Sequence, residues 1–251
     1  MSLFHRKNKN STDTMDNGVK LITAVHPKSV ISEQFRTIRT NISFMSIDKT
    51  IKTLAFTSAN VSEGKSTVAD NMAVVFAQNG KHVLLVDTDL RRPTLSRTFG
   101  IDGREGLTSI LNSQEHSIDL ARIIKPSEID GLDLLSSGPI PPNPAELLGS
   151  HRMQTFLKAV RENYDLVILD VPPMLEVTDT QVISHDLDAV VMVIRQGSTQ
   201  KMAARRSVEL LKMAHANLLG YVMNAVDNKG DSAYGYGYGY GYGYGYGEGD
   251  K

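Results

Sequence analysis

Apolar residues along this chain occur in short runs, and segments with helical spacing separate most of these runs. Runs rich in Val, Ile and Leu predict strands at 51–58, 82–87, 131–137, 164–170, 188–195 and 218–225. Most of these runs lack alternating polar positions, which indicates strands that are buried on both faces of a parallel sheet. We therefore expect a doubly wound α/β fold, a mostly parallel sheet flanked by helices.

Helical periodicity occupies the intervals between the predicted strands. Residues 29–46 place Ile31, Phe35, Ile38 and Ile42 at the spacing of one helix face. Further helices are predicted at 66–80, 106–112, 145–163 and 199–216. This alternation of strands and helices is typical of parallel α/β domains.

Composition narrows the classes of function that suit this fold. The chain has no cysteine, which excludes disulfides, thiolate catalysis and cysteine metal sites. Its 27 basic and 28 acidic residues give a formal net charge of -1, so nothing demands nucleic acid as a partner. The first residues are basic but have no apolar core after them, so we expect a free polar terminus rather than a signal peptide. Weak contact of this terminus with an acidic membrane surface stays open.

The chain ends in DSAYGYGYGYGYGYGYGEGDK, in which tyrosine alternates with glycine. Glycine weakens both a strand interior and a helix, so we expect a mobile tail whose repeated feature is the phenol. We divide the chain into a flexible segment at 1–28, one domain at 29–230 and the tail at 231–251.

The segment TSANVSEGKST, at 57–67, joins a predicted strand to a predicted helix and resembles a phosphate-binding loop. In such loops backbone N–H groups and the helix N-terminus face phosphate, which predicts a P-loop NTPase fold. Lys65 would reach the β- and γ-phosphates, and the Ser66 hydroxyl would bind Mg²⁺. The standard pattern begins with glycine, whereas Ala59 stands there in this chain. The predicted nucleotide contacts within the loop are Asn60, Val61, Ser62, Glu63, Gly64, Lys65, Ser66 and Thr67.

Three aspartates follow predicted strands, at the edge where open α/β sheets bind ligands. Asp87 and Asp89 lie two residues apart after one strand, and Asp170 ends another. Asp87 and Asp170 are predicted to hold Mg²⁺ together with Ser66, although each aspartate could instead cap a helix or turn. Hydrolysis would need only a positioned water, whereas a kinase benefits from a further carboxylate that accepts the proton of a hydroxyl. We expect Asp89 to take that proton late in the reaction.

The ordered segments ANVSEGKST, VLLVDTDLRRP and LVILDVPP, followed by a tyrosine-rich end, resemble the bacterial tyrosine kinase family of capsule and exopolysaccharide systems. The resemblance covers about residues 29–251. It implies a non-specific protein-tyrosine kinase that uses ATP and Mg²⁺. It assigns the catalytic residues to three motifs, namely Lys65 in Walker A, Asp87, Asp89 and Arg91 in A′, and Asp170 in Walker B.

The resemblance also implies how such a protein is modified and assembled. The autophosphorylation sites would be Tyr234, Tyr236, Tyr238, Tyr240, Tyr242, Tyr244 and Tyr246, modified by a neighbouring subunit. Glu33, Arg36 and Arg39 match an E-x-x-R-x-x-R motif that would join subunits in a closed ring, with an octamer as one ring size. Further partners would be a transmembrane polysaccharide co-polymerase that acts as activating adaptor and a cognate tyrosine phosphatase. The kinase would be cytoplasmic and recruited to the inner face of the plasma membrane through the adaptor.

Several alternatives stay open at this point. Glu33, Arg36 and Arg39 could form an ordinary solvated helix face, and the tail could be a sticky aromatic segment. Asn224 is a candidate adenine contact or a turn residue after a strand. A rival class is the ATPase switch of the partition and septum-site proteins, without kinase activity. Those relatives carry an early lysine in the loop, at the position that Asn60 occupies here.

Overall fold

The computed structural model describes residues 13–45, 50–113 and 120–226. Within these ranges one sheet contains the strands β1 Thr53–Ser58, β2 Val83–Asp87, β3 Lys125–Pro126, β4 Leu132–Leu135, β5 Leu166–Asp170, β6 Ala189–Arg195 and β7 Leu218–Asn224. The strand order is β3-β4-β2-β5-β1-β6-β7, and only the short edge strand β3 pairs antiparallel with its neighbour. The predicted mostly parallel sheet is confirmed.

The described helices are α1 Asp13–Asn17, α2 Ile22–Val25, α3 Val30–Met45, α4 Lys65–Ala77, α5 Leu95–Phe99, α6 Leu107–Asn112, α7 Leu120–Ile123, α8 Pro144–Leu148, α9 His151–Asn163, α10 Asp179–Ser184 and α11 Lys201–Met213. One apolar cluster joins α3, α4 and α5 to one face of the sheet, and a second joins α6, α8, α9, α10 and α11 to the other. Every residue of β1, β2 and β5 is buried, as expected for strands covered on both faces. None of the helices in the described ranges is both long and apolar enough to span a bilayer.

The single helix predicted over 145–163 is wrong, because the chain forms α8 and α9 there with a break between them. A Cβ atom on Gly149 would lie 2.6 Å from Cγ1 of Val182, so the break approaches α10 more closely than a larger residue allows. Ser150 then begins the second helix, since its Oγ accepts a hydrogen bond of 3.2 Å from the backbone N–H of Met153. A serine cap explains why a new helix starts at this position.

The N-terminal segment also differs from the flexible stretch expected over 1–28, of which residues 1–12 lie outside the described ranges. Thr23 in α2 is fully buried against α4. Its backbone N–H and its hydroxyl both donate to Oδ1 of Asn71, at 3.0 and 2.8 Å. Residues Ile22–Val25 thus form a helix packed on α4, although they precede the domain start predicted at residue 29. The predicted tail and its tyrosines lie outside the described residues.

Candidate active site

The predicted phosphate loop joins β1 to α4 at the carboxyl edge of the sheet. Gly64 precedes α4 with a φ of +94°, a conformation that residues with a Cβ rarely adopt. A Cβ atom there would also lie 2.0 Å from Nδ2 of Asn224. That amide, at the end of β7, donates a hydrogen bond of 3.0 Å to the carbonyl oxygen of Glu63. The geometry thus requires glycine at this position and brings Asn224 against the loop.

Glu63 is buried and holds the loop closed. Its Oε2 accepts hydrogen bonds from the backbone N–H groups of Ala59 and Asn60, at 2.9 and 3.1 Å, and its Oε1 accepts one from the Asn60 side chain. The carboxylate therefore faces the amides of its own loop, although the sequence placed Glu63 among the nucleotide contacts. Ala59 does not have a positive φ, so alanine fits without strain where the standard pattern has glycine.

Lys65 lies between two carboxylates at the centre of the site. Its Nζ is 2.8 Å from Oδ2 of Asp89, 3.1 Å from Oδ1 of Asp170 and 3.3 Å from the hydroxyl of Ser66. Lys65, Asp89 and Asp170 are only 9, 3 and 2% exposed. Burial on its own lowers the pKa of Lys65, but attraction by Asp170 and Asp89 outweighs it and the net pKa is raised. The lysine is therefore a fixed cation in an acidic, poorly hydrated site.

Asp87 has structural contacts as well as a position suited to the predicted metal. Its Oδ2 accepts hydrogen bonds from the backbone N–H groups of Thr94 and Leu95, at 2.9 and 3.0 Å, where α5 begins. Its Oδ1 accepts a bond of 3.2 Å from the N–H of Asp89. Burial, followed by repulsion from Asp170, raises the pKa of Asp87 to about 7. Asp87 therefore caps α5, which was the alternative given for this residue, besides its predicted contact with the metal.

The donors expected for Mg²⁺ lie close together. Asp87 and Asp170 are register partners on β2 and β5, and the Ser66 hydroxyl hydrogen-bonds to Asp170. Burial is the main cause that raises the pKa of Asp170, against the opposing effect of Lys65. In the described ranges no group of three or more His, Asp or Glu is placed to hold a metal alone. Mg²⁺ is usually bound by one or two carboxylates together with phosphates and waters, and Ser66, Asp87 and Asp170 would be its ligands from this chain.

Asp70 is a further buried carboxylate near Lys65, and the sequence analysis did not identify it. It lies in α4, one turn after Ser66, and its Oδ2 has no hydrogen-bond partner in the part of the chain that the structure describes. Burial, followed by repulsion from Asp170 and Asp87, raises its pKa well above the ordinary value. Its place among the buried apolar residues of α4 was the signal that could have revealed it.

Two arginines flank the site. Arg91 donates to both carboxylate oxygens of Asp179 at the start of α10, at 2.9 and 3.1 Å. Its side chain is 42% exposed, and Asp179 is fully buried. Arg195, at the end of β6, donates a bond of 2.8 Å to the carbonyl oxygen of Ser62 in the loop. Neither Asp179 nor Arg195 was singled out in the sequence, because their partners come from distant parts of the chain.

The residues predicted to contact a neighbouring subunit lie on α3, far from Lys65 in the sequence. In this structure their side chains contact other residues of the same chain. Glu33 and Arg36 form an ion pair, and Arg36 also donates to the carbonyl oxygen of Pro27 at 2.6 Å. Arg39 donates to the carbonyl oxygen of Val75 in α4 at 3.1 Å. Their role between subunits stays a prediction.

A cavity of about 250 Å³ opens over the loop. Its lining includes Val61, Ser62, Gly64, Lys65, Ser66, Thr67, Asp89, Arg92, Arg195 and Asn224. A larger groove of about 610 Å³ lies between α3 and β7, and none of the described residues that line it is charged. Phosphate needs hydrogen-bond donors and positive charge, so the smaller cavity is the better candidate for a nucleotide.

Comparisons with known proteins agree with this geometry. A family model described as an AAA domain matches residues 51–216. The tyrosine-protein kinase YwqD of Bacillus subtilis (strain 168) is 46% identical over 230 residues, which are 92% of this chain and 94% of that protein. The putative tyrosine-protein kinase CapB of Staphylococcus aureus is 36% identical over 208 residues, 83% of this chain and 90% of its own length.

A solved structure extends the similarity to three dimensions. The kinase domain of the Escherichia coli tyrosine kinase ETK superposes with a TM-score of 0.80 at 32% identity. The match covers 87% of this chain and 85% of that one. With the P-loop fold, these relatives imply that the site binds a nucleotide. The chain belongs to the bacterial tyrosine kinase family of capsule and exopolysaccharide systems.

Proposed function

We propose that the chain transfers the γ-phosphoryl group of ATP to tyrosines 234–246 of a neighbouring copy, and that this controls capsule or exopolysaccharide polymerisation and export. The observation that supports it best is the position of Lys65 between Asp89 and Asp170 at the carboxyl edge of the sheet. Nζ of this lysine, the cation that would bind phosphate, thus contacts both a carboxylate suited to hold metal and a second carboxylate.

The loop and its neighbours hold the triphosphate in this proposal. The N-terminus of α4 and Lys65 bind the phosphates, while Asn224, Arg195 and Thr67 line the rest of the cavity. Ser66 and Asp170, with Asp87 beside them, would hold Mg²⁺, which neutralises charge on the phosphates when it is bound. The Glu63 carboxylate keeps the loop closed by accepting the backbone N–H groups of Ala59 and Asn60.

Asp89 accepts the phenolic proton. The unperturbed pKa of tyrosine is about 10 and that of aspartate about 4, so full deprotonation before attack is unfavourable. The phenol oxygen forms its bond to the γ-phosphorus as the bond to the β–γ bridging oxygen breaks, and ADP leaves with that electron pair. The O–H bond of the phenol breaks late in this step, and its proton passes to a carboxylate oxygen of Asp89. Binding of phosphate competes with Asp89 for Lys65, whose Nζ is 2.8 Å from that carboxylate.

Assembly follows from the same proposal. Glu33, Arg36 and Arg39 would join subunits in a ring, an octamer or another size, and a membrane-spanning adaptor at the inner face of the plasma membrane would activate the cytoplasmic kinase. A cognate phosphatase would reverse the modification. The chain has a formal charge of -1, and seven phosphotyrosines would add roughly -10 to -14 charges. This charge would repel neighbouring tails and loosen the ring.

The Asp89→Asn variant tests the role of the proton acceptor. We expect Mg·ATP binding to persist and phosphate transfer to the tail to fall by roughly 100-fold or more, the usual contribution of a general base. Phosphotyrosine on the tail and phosphate released to water are measured in the same samples. Asp102→Asn is the matched control, because that aspartate lies on the surface and pairs with Arg104.

Two results would contradict the proposal. An undiminished rate of tail labelling in Asp89→Asn protein that still folds and binds nucleotide would exclude Asp89 as the acceptor. Phosphate released to water without any labelled tyrosine in the wild type would indicate an ATPase instead of a kinase. Replacing all seven tyrosines at 234–246 with phenylalanine should abolish labelling, while a tail that acts by aromatic stacking would keep its function.

A further inference from the structure

Residues 13–19, called the strap below, run from α1 across α5 and pack tightly on it. The N–H of Val19 donates a hydrogen bond of 3.1 Å to the hydroxyl of Thr98. Gly18 has a φ of +70°, and a Cβ atom on it would lie 2.6 Å from the backbone N and Cα atoms of Thr98. The strap is therefore seated on α5 with no room for a side chain at residue 18.

The strap reaches the cavity of the phosphate loop. Thr14, Met15 and Val19 line the same cavity of about 250 Å³ as Lys65 and Ser66. The residue after the strap is also held by α4, because Asn71 donates a hydrogen bond of 2.9 Å to the carbonyl oxygen of Lys20. A short segment that was expected to be flexible thus forms one wall of the candidate nucleotide site.

The strap is linked to the acidic centre by hydrogen bonds through α5. The Thr98 hydroxyl, which accepts from the strap, donates to the carbonyl oxygen of Thr94 at 3.0 Å. The N–H of Thr94 donates in turn to Oδ2 of Asp87 at 2.9 Å. Displacing the strap therefore disturbs both the cavity wall and the helix that Asp87 caps.

We propose that the strap is part of the nucleotide site, and that Thr14 and Met15 contact the bound nucleoside triphosphate or diphosphate and slow its release. This inference rests on the proposed function, since it assigns further residues to the same site. A ligand enclosed on one more side loses those contacts before it can leave, so the effect falls on the dissociation rate rather than on association. The strap thereby sets how long ADP stays after phosphate transfer.

The chain offers a matched pair of glycines for the test. Gly18→Ala places a methyl group against the Thr98 backbone and should lift the strap. Gly100→Ala is the control, because Gly100 ends the same helix α5 with a similar φ of +67°, but no atom of the described residues lies within 4 Å of its Cβ position. Both variants carry the backbone strain of alanine at positive φ, and only the first displaces the strap. Met15→Ala removes one wall side chain and leaves the Gly18 contact intact.

The measurement uses the full chain with fluorescent ADP and Mg²⁺ in stopped flow, and hydrogen exchange at the Val19 amide reports the position of the strap. We expect Gly18→Ala and Met15→Ala to release ADP roughly three- to ten-fold faster than the wild type, with Gly100→Ala unchanged. Faster exchange at Val19 in the Gly18→Ala variant should accompany the faster release.

The outcomes separate this inference from the function on which it rests. A wild type that binds no Mg·ADP overturns the proposed function and the strap's role together. If the wild type binds and both Gly18→Ala and Met15→Ala release ADP at its rate, only the strap is overturned. If the Val19 amide keeps its protection from hydrogen exchange in Gly18→Ala, the strap has not moved in that variant. The rate of ADP release from Met15→Ala then tests the inference by itself. Slower release in either variant would also refute the proposal.

Discussion

Replacing Lys65 with methionine should destabilise the folded protein even when no nucleotide is added. Nζ of Lys65 is the cation within 3.1 Å of both Asp89 and Asp170, and all three residues are buried. Methionine has a similar length but no charge, so both carboxylates lose their buried partner. Breaking a buried ion pair by removing one member costs about 3–5 kcal/mol. A domain of this size loses about 2–4 °C in Tm for each kcal/mol, which predicts a fall of roughly 6–20 °C.

The stability that Lys65→Met loses should be larger at high pH than at low pH. Burial raises the pKa of Asp87 to about 7, so its folded-state pKa exceeds the unfolded value of about 4. A raised carboxyl pKa means that its favourable effect on stability is complete below about pH 4 and is lost as pH rises through about 7. Lys65 lowers the pKa values of both Asp87 and Asp170, so removing it raises them further. Lys65→Met should therefore lose more stability at pH 8 than at pH 5.

Circular dichroism melts between pH 5 and 8, without added metal, measure this effect. Lys158→Met, at an exposed position on α9, is the control for the change of residue type. The double variant Lys65→Met/Asp89→Asn should recover part of the lost Tm, because it removes one of the two unpaired charges. A single variant that melts within about 2 °C of the wild type at pH 8, with no dependence on pH, would refute the electrostatic reasoning.

Two further substitutions test other parts of the site. Gly64→Ala should reduce nucleotide affinity, measured by titration calorimetry, by more than about tenfold, because the φ of Gly64 is +94° and a Cβ atom there would overlap the Asn224 amide. Gly80→Ala is the control and should bind nucleotide as the wild type does, because Gly80 has a similar φ of +81° and no described atom lies within 4 Å of its Cβ position. Asp70→Asn should raise the free energy of unfolding by about 1–3 kcal/mol at pH 8, because it removes a buried carboxylate with an unpartnered oxygen. The gain should shrink towards pH 4, where the raised pKa keeps Asp70 neutral, and urea unfolding with an equal gain at both pH values would contradict this reading.

The centre of the site could be predicted from the sequence because parallel strands present their carboxyl ends at one edge of a sheet. Runs of apolar residues located β2 and β5, and the aspartates at their ends were expected at the same edge of the sheet; the strand order then makes Asp87 and Asp170 register partners. The residues after Gly64 fixed the start of α4 at the same edge, which brought Lys65 to these aspartates. The order of the motifs along the chain and the common direction of the parallel strands were sufficient to place these residues at one edge of the sheet.

Contacts between distant segments could not be predicted in the same way. Asp179 holds Arg91 across 88 positions of the chain, and no local pattern joins them. The polar segment around Thr23 looked unstructured because its burial depends on Asn71, a polar residue in an apolar helix. The break at Gly149 depends on α10, which packs there from later in the sequence. In each case the deciding partner lies on an element whose position only the fold supplies.

The buried charges around Lys65 do not balance, and this imbalance limits how the site can work. Asp70, Asp87, Asp89 and Asp170 surround one lysine. Burial, and after it repulsion between the carboxylates, raises the pKa values of Asp70, Asp87 and Asp170. A triphosphate adds more negative charge, so it can enter favourably only together with a cation such as Mg²⁺. On the proposed function, Lys65 cannot neutralise both Asp89 and the phosphates at once. Nucleotide binding then draws the lysine from Asp89, and the carboxylate is free to accept a proton only when a transferable phosphate is present.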